Sequence, residues 1–143
     1  GLGEDFSGNW RLAESVNFDE YLKSLNVSST HRSFAIRASV EHKIRRRPDG
    51  ENARYEVCVV TRLGTKCETF TVGAEPICSS DARGDPIVKS IRWENDDKDV
   101  LVTSVESSSG RLVDKRRLAG PDEMVMELIS PSQVCAYRGF RRS

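Results

Sequence analysis

Two arginine-rich stretches carry the chemistry this sequence has to offer: Lys-Arg-Arg-Leu-Ala at 115–119 and the closing Cys-Ala-Tyr-Arg-Gly-Phe-Arg-Arg-Ser at 135–143. Both read as strands, and successive side chains of a strand point to opposite faces. In a sheet that closes on itself, some of these guanidiniums therefore point inward. An enclosed guanidinium stays charged and needs an anionic or strongly polar partner, and its planar fork matches a carboxylate at two points. The remaining inventory is poor in reactive groups. No Ser-His-Asp arrangement and no phosphate-cradling glycine loop can be placed. Cys58, Cys67, Cys78 and Cys135 form no Cys-x-x-Cys pair, and His31 and His42 are not close to them in sequence, which speaks against a zinc site. The cysteine count permits two disulfides, but nothing in the composition demands them. The simplest expectation is reduced thiols, some packed as small hydrophobes.

Composition narrows the setting. The 143 residues suit a single domain spanning the whole chain. An apolar share of 37% against 31% charged residues suits a folded globular protein, not a disordered one. Lys plus Arg equals Asp plus Glu at 22 each, and a nucleic-acid binder normally shows a basic excess. No apolar run is long enough for a membrane-spanning helix, and the opening Gly-Leu-Gly-Glu-Asp-Phe lacks a signal-peptide pattern.

The elements that must position the arginines follow from periodicity. From Asn17 to Asn26, the apolar residues Phe18, Tyr21, Leu22 and Leu25 recur at one face of a helix. Asn17 is the expected N-cap, with Glu20 completing a capping-box-like pair. A second, shorter helix is expected from Ser28 to about Ala35. Almost everything else alternates with period two, punctuated by hairpin-like turns such as Arg-Pro-Asp-Gly-Glu-Asn and Glu-Ser-Ser-Ser-Gly. The order is one strand, one or two helices, then an unbroken meander of strands, which argues a closed barrel or a sandwich.

At this level of detail the chain resembles the intracellular fatty-acid-binding proteins, which include the cellular retinoid binders. The resemblance rests on Phe6, Gly8 and Trp10 of the first strand, followed by Asn-Phe-Asp-Glu-Tyr-Leu-Lys-Ser-Leu at 17–25. Phe70 to Glu75, Ile87 to Ile91 and Val-Cys-Ala-Tyr-Arg-Gly-Phe near the end match later parts of the family pattern in order. It implies an all-β fold: a ten-stranded antiparallel up-and-down barrel, or β-clam, with a helix-turn-helix lid between the first two strands. It further implies a carrier without catalytic activity or cofactor, binding one long-chain fatty acid, retinoid or similar lipid in a water-containing cavity. A cytoplasmic, and also nuclear, monomer is expected.

The family anchors a ligand carboxylate with an inner-strand arginine and an Arg-x-Tyr pair on the last strand. The first carries over to Arg116, with Leu112, Asp114 and Leu118 on the same inward phase and Lys115 and Arg117 facing water. Asp114 is out of place there, unless it pairs with Arg116 or sits at the rim. The last strand departs from the family. Aligned on Cys135, the anchor positions fall on Tyr137 and Gly139; shifted by one residue, they fall on Arg138 and Phe140. The shifted frame retains an arginine, and Ser-Pro-Ser-Gln upstream offers a turn to absorb the residue; a bulge at Gly139 is a third solution. In the shifted frame Phe140 lacks the hydroxyl. By position, Phe18, Leu22 and Leu25 would line the lid's inner face, and Val57, Val59, Trp93, Met126 and Leu128 the wall. Trp10 and Met124 are expected in the core, Arg141 and Arg142 as a charged edge, and the Arg45 to Arg47 run as a solvated hairpin. Lys23 and Arg32 on the lid would meet anionic membrane surfaces transiently.

Two other functions compete. Gly8-Asn9-Trp10 also fits the first strand of a secreted lipocalin, and four cysteines would suit that compartment. The early helix and the lack of a helix after the last strands count against it. A family member that has lost its ligand and acts through surface contacts is the other alternative, prompted by the altered closing motif.

Overall fold

The computed structural model describes residues 6–47, 53–81 and 83–143. The Pro48 to Gly50 turn expected after the basic run lies outside the described residues. Strand β1 (Gly8–Val16) is followed by helices α1 (Phe18–Ser24) and α2 (Ser29–Arg37). Nine further strands follow: β2 (Glu41–Arg47), β3 (Arg54–Thr61), β4 (Gly64–Thr71), β5 (Ile77–Ser80), β6 (Pro86–Trp93), β7 (Val100–Ser107), β8 (Gly110–Gly120), β9 (Glu123–Ile129) and β10 (Cys135–Arg142). They form one antiparallel sheet in the order β4-β3-β2-β1-β10-β9-β8-β7-β6-β5. Chain neighbours pair as a meander, and β1 joins β10. The two edges, β4 and β5, are not hydrogen-bonded to each other as strands. Contacts instead run from the β4 side to β6: the Gly73 amide, just after β4, donates to the Ile91 carbonyl at 2.8 Å, and Lys89 of β6 forms an ion pair with Glu68 of β4.

The core is fixed by inward phases. Phe6, Trp10, Tyr55, Met124 and Phe140 are essentially without solvent exposure, and each large side chain so buried contributes about 1.5–3 kcal/mol. The end of the barrel away from the lid is sealed by aromatic packing. Phe6 stacks on Trp93 with centroids 6.3 Å apart, and the Trp10 indole N–H donates to the Phe6 carbonyl at 2.8 Å. Trp10 thus sits in the core as expected.

Several local expectations are corrected. Arg142 is not a free charged edge: its guanidinium lies over the Trp10 ring at 4.2 Å and donates to the Ser7 and Pro121 carbonyls. It shares the inward phase of Phe140 and clamps the sealed end. Asn17 does not cap α1 with its side chain. It adopts a left-handed backbone (φ 60°), and its amide donates instead to the Cys135 carbonyl at 2.8 Å, tying the lid to β10. Ser28 does cap α2, accepting from the His31 amide. That helix runs to Arg37, two residues past the expected Ala35, and β2 begins at Glu41.

The cysteines also differ from expectation. Thr61 and Gly64 close the β3–β4 hairpin, so Cys58 and Cys67 stand directly opposite each other and form a disulfide. Cys78 and Cys135 are free and exposed.

Candidate functional site

The inner walls of β2, β3, β4, β6, β7, β8 and β9 enclose a cavity of about 560 Å³. One part of the lining is apolar: Val57, Val59, Phe70, Ile91, Leu101 and Met126. The rest is polar, and Arg116 is its most deeply enclosed charge, at 8% exposure. Arg116 is inward because β8 alternates around it: Lys115, on the outer phase, reaches Glu94 at 2.6 Å. Opposite Arg116 on the two neighbouring strands stand Leu101 and Met126, which give it no countercharge.

What holds Arg116 is His42. A guanidinium nitrogen of Arg116 lies 3.1 Å from His42 Nδ1 and also points at the Met124 sulfur, 3.4 Å away. A guanidinium has only donors, so Nδ1 must be the acceptor and the imidazole proton sits on Nε2. Burial, reinforced by the charges of Arg116 and Arg138, pushes the His42 pKa down to about 3, which keeps the ring neutral and able to accept. The ring packs on Phe140 with centroids 4.5 Å apart. The remaining N–H groups of Arg116 hydrogen-bond no described residue. The arrangement is a positive charge preset by a neutral acceptor, with donors to spare.

The last strand resolves into two faces. Ala136 and Phe140 are buried, while Cys135, Tyr137 and Arg141 are exposed. Arg138 therefore shares the inner phase with Phe140, and Tyr137, at 41% exposure, lies on the outer one. The pairing of β10 with β9 runs unbroken through Gly139; the irregularity lies across from it, in β1 between Leu12 and Glu14. Arg138 stands at the lid, its guanidinium 4.0 Å from the centre of the Phe18 ring and its Nε donating to the Ser15 hydroxyl. Burial lowers its pKa.

The structure thus gathers Arg116, Val57, Val59 and Met126 around one cavity. Leu128 packs against the core beside it, and Trp93 belongs to the sealed end against Phe6. In the lid, Phe18 stacks on Tyr21, and Leu22 and Leu25 are half-buried. Arg32 is not a free surface cation: it donates to Asp19 at 2.9 Å and to the Val27 carbonyl at 2.7 Å, binding α2 to α1. Lys23 is exposed.

Sequence reasoning missed His42, Lys66, Glu68, Lys89 and Thr103, all of which line the cavity. The signal for His42 was available: Val40, His42 and Ile44 alternate with charged residues and all three are buried. Asp114 lies inward, as its phase required, and makes no ion pair with Arg116. Enclosure raises its pKa, against the opposing charges of Arg116 and Lys89.

A ten-stranded antiparallel barrel with a two-helix lid and a cation-bearing interior cavity defines a class of lipid-binding β-barrels. Residues 7–137 match the model of the lipocalin / cytosolic fatty-acid binding protein family, and the chain belongs to that family. Cellular retinoic acid-binding protein 2 of Rattus norvegicus is 26% identical over 132 residues, covering 92% of this chain and 94% of the relative. Among solved structures, a Schistosoma mansoni fatty acid binding protein in complex with arachidonic acid superposes with a TM-score of 0.79 at 21% identity, covering 100% of this chain and 99% of that one. As-p18, an extracellular fatty acid binding protein, gives 0.78 at 20% identity, covering 99% of each chain.

Proposed function

We propose that this protein is a non-enzymatic carrier that encloses one long-chain fatty acid, retinoid or related hydrophobic anion. One observation carries the proposal: Arg116 is a buried cation with unspent donors, held by a neutral histidine at the wall of a partly apolar cavity. Transfer of an acyl chain out of water is favourable by about 0.8 kcal/mol per CH₂, and the carboxylate must then find a partner or lose several kcal/mol. Arg116 is the natural partner, with Arg138 near the lid as a second cation and Phe140 contributing ring surface only. Phe18, Leu22 and Leu25 close over the chain. The relatives named for retinoic acid fit this ligand class.

A monomer that touches membranes briefly through Lys23 on the lid completes the proposal. The cellular relatives favour a cytoplasmic setting. A secreted setting has one specific support, the Cys58–Cys67 disulfide, since such bonds persist mainly in oxidising compartments. Titrating free thiols in protein isolated from its native source distinguishes them: four for a cytoplasmic protein, two for a secreted one.

The test of function is displacement of a fluorescent fatty acid from delipidated protein. Saturable displacement by a fatty acid or a retinoid supports the carrier. Absence of saturable binding by fatty acids, retinoids and acyl-CoA overturns it and leaves the surface-interaction alternative.

A further inference from the structure

Beyond the carboxylate anchor, the cavity has a second polar face that a plain alkyl chain does not satisfy. Asp114 and Arg116 lie two residues apart on the same face of β8, about 7 Å along the strand. Asp114 opens onto the same cavity, opposite Thr103 of β7. Its carboxyl hydrogen-bonds no described residue. Both cations that would otherwise neutralise it are engaged elsewhere: Lys89 pairs with Glu68, and Arg116 is turned to His42 and Met124. In register Asp114 stands opposite Leu128, and Leu128 opposite Ala136, next to the Cys135 carbonyl that binds Asn17 at the start of the lid, so this acid lies between the anchor and the lid. A methylene chain laid across it would strip its water and return no hydrogen bond, an unfavourable exchange.

We propose that Asp114, with Thr103 beside it, forms a second subsite that accepts a hydrogen bond from a hydroxyl in the middle of the bound lipid chain, so that the preferred ligand is a hydroxylated fatty acid. This rests on the carrier function proposed above and adds the ligand's second polar group. The chemistry suits a neutral donor: Lys89 and Glu68 offset each other as an ion pair, and Arg116 opposes the charge of Asp114, so a hydroxyl satisfies the carboxyl without adding charge to the site.

The experiment is isothermal titration of the delipidated full chain with palmitic acid, a mid-chain hydroxypalmitic acid and ω-hydroxypalmitic acid. The mid-chain hydroxy acid is expected to bind about tenfold more tightly than palmitic acid, the effect of one good hydrogen bond in a buried site. The ω-hydroxy acid should show no such gain. Asp114→Leu should abolish the preference and bind palmitic acid at least as tightly as the unmodified chain. Equal or weaker binding of the mid-chain hydroxy acid by the unmodified chain overturns the subsite. That comparison needs no variant, so a failure of Asp114→Leu to fold does not affect it. Failure of all three acids to bind overturns the carrier function instead.

Discussion

Replacing Arg116 by glutamine isolates the anchor. The guanidinium is 8% exposed and faces a cavity whose nearest fixed acceptor is a neutral ring. A ligand carboxylate there forms charge-assisted hydrogen bonds in a water-poor site. Removing one side of such a pair costs about 3–5 kcal/mol. Arg138 also faces the interior and recovers part of that, so about 2–3 kcal/mol remains, a rise in Kd of roughly 30- to 150-fold. The control is Lys115→Gln. Lys115 lies on the outer phase, paired with Glu94, with the two side chains 31% and 41% exposed. Losing that exposed pair costs at most about 1 kcal/mol of stability and leaves the Kd unchanged. The unliganded Arg116→Gln protein should lose little stability, because glutamine keeps a donor for His42 and sheds a buried charge. Fluorescent fatty-acid titration of both variants, with thermal unfolding of the unliganded forms, reads all three quantities. Equal Kd values for the two variants would refute the assignment of Arg116 to the inner face of a carboxylate site.

Other consequences follow from the same geometry. His42 has a pKa of about 3 in the fold against about 6.5 unfolded, so between those values the unfolded chain binds more protons and stability falls as pH falls, by at most about 1.4 kcal/mol per pH unit. Arg116 and Arg138, the charges that face it, stay protonated throughout; Asp114, with its pKa raised, works in the opposite sense. His42→Gln keeps Asp114 and removes only the histidine contribution, so denaturant titrations should show its stability relative to wild type rising from pH 6.5 towards pH 4. Reduction of Cys58–Cys67, which are nine residues apart, should lower stability by about 2–3 kcal/mol through regained loop entropy, measured as a shift in urea midpoint. Arg142→Ala removes the cation over Trp10 and donors to two carbonyls; a loss of about 1–3 kcal/mol is expected, with ligand affinity unaffected.

Much of this architecture was legible in alternation. Period two set Asp114 and Arg116 on the inner face of β8, and the Phe18, Tyr21, Leu22, Leu25 spacing marked the lid. The disulfide was within reach too, because a two-residue loop at Arg62 and Leu63 fixes Cys58 opposite Cys67. What escaped was polarity turned inward. Lys66, Glu68 and Lys89 lie beside the gap between β4 and β5, where the interior meets water and hydrophobicity no longer reports which face is inside. His42 was hidden inside the charged Glu-His-Lys-Ile-Arg-Arg-Arg run, where the eye follows the arginines. Arg142 and Arg32 read as solvent-facing cations, but each finds carbonyls that only the assembled fold supplies. Asn17 had the composition of an N-cap, yet the nearby Cys135 carbonyl took its side chain.

A carrier of this kind binds a single hydrophobic anion inside the barrel with its carboxylate on a buried cation. Calorimetric titration of delipidated protein with a fatty acid and with its methyl ester tests this most directly. One acid should bind per chain, and the ester should bind at least tenfold more weakly, since the ester keeps the chain but loses the charge. Equal affinity for acid and ester, or binding of neither, would contradict it.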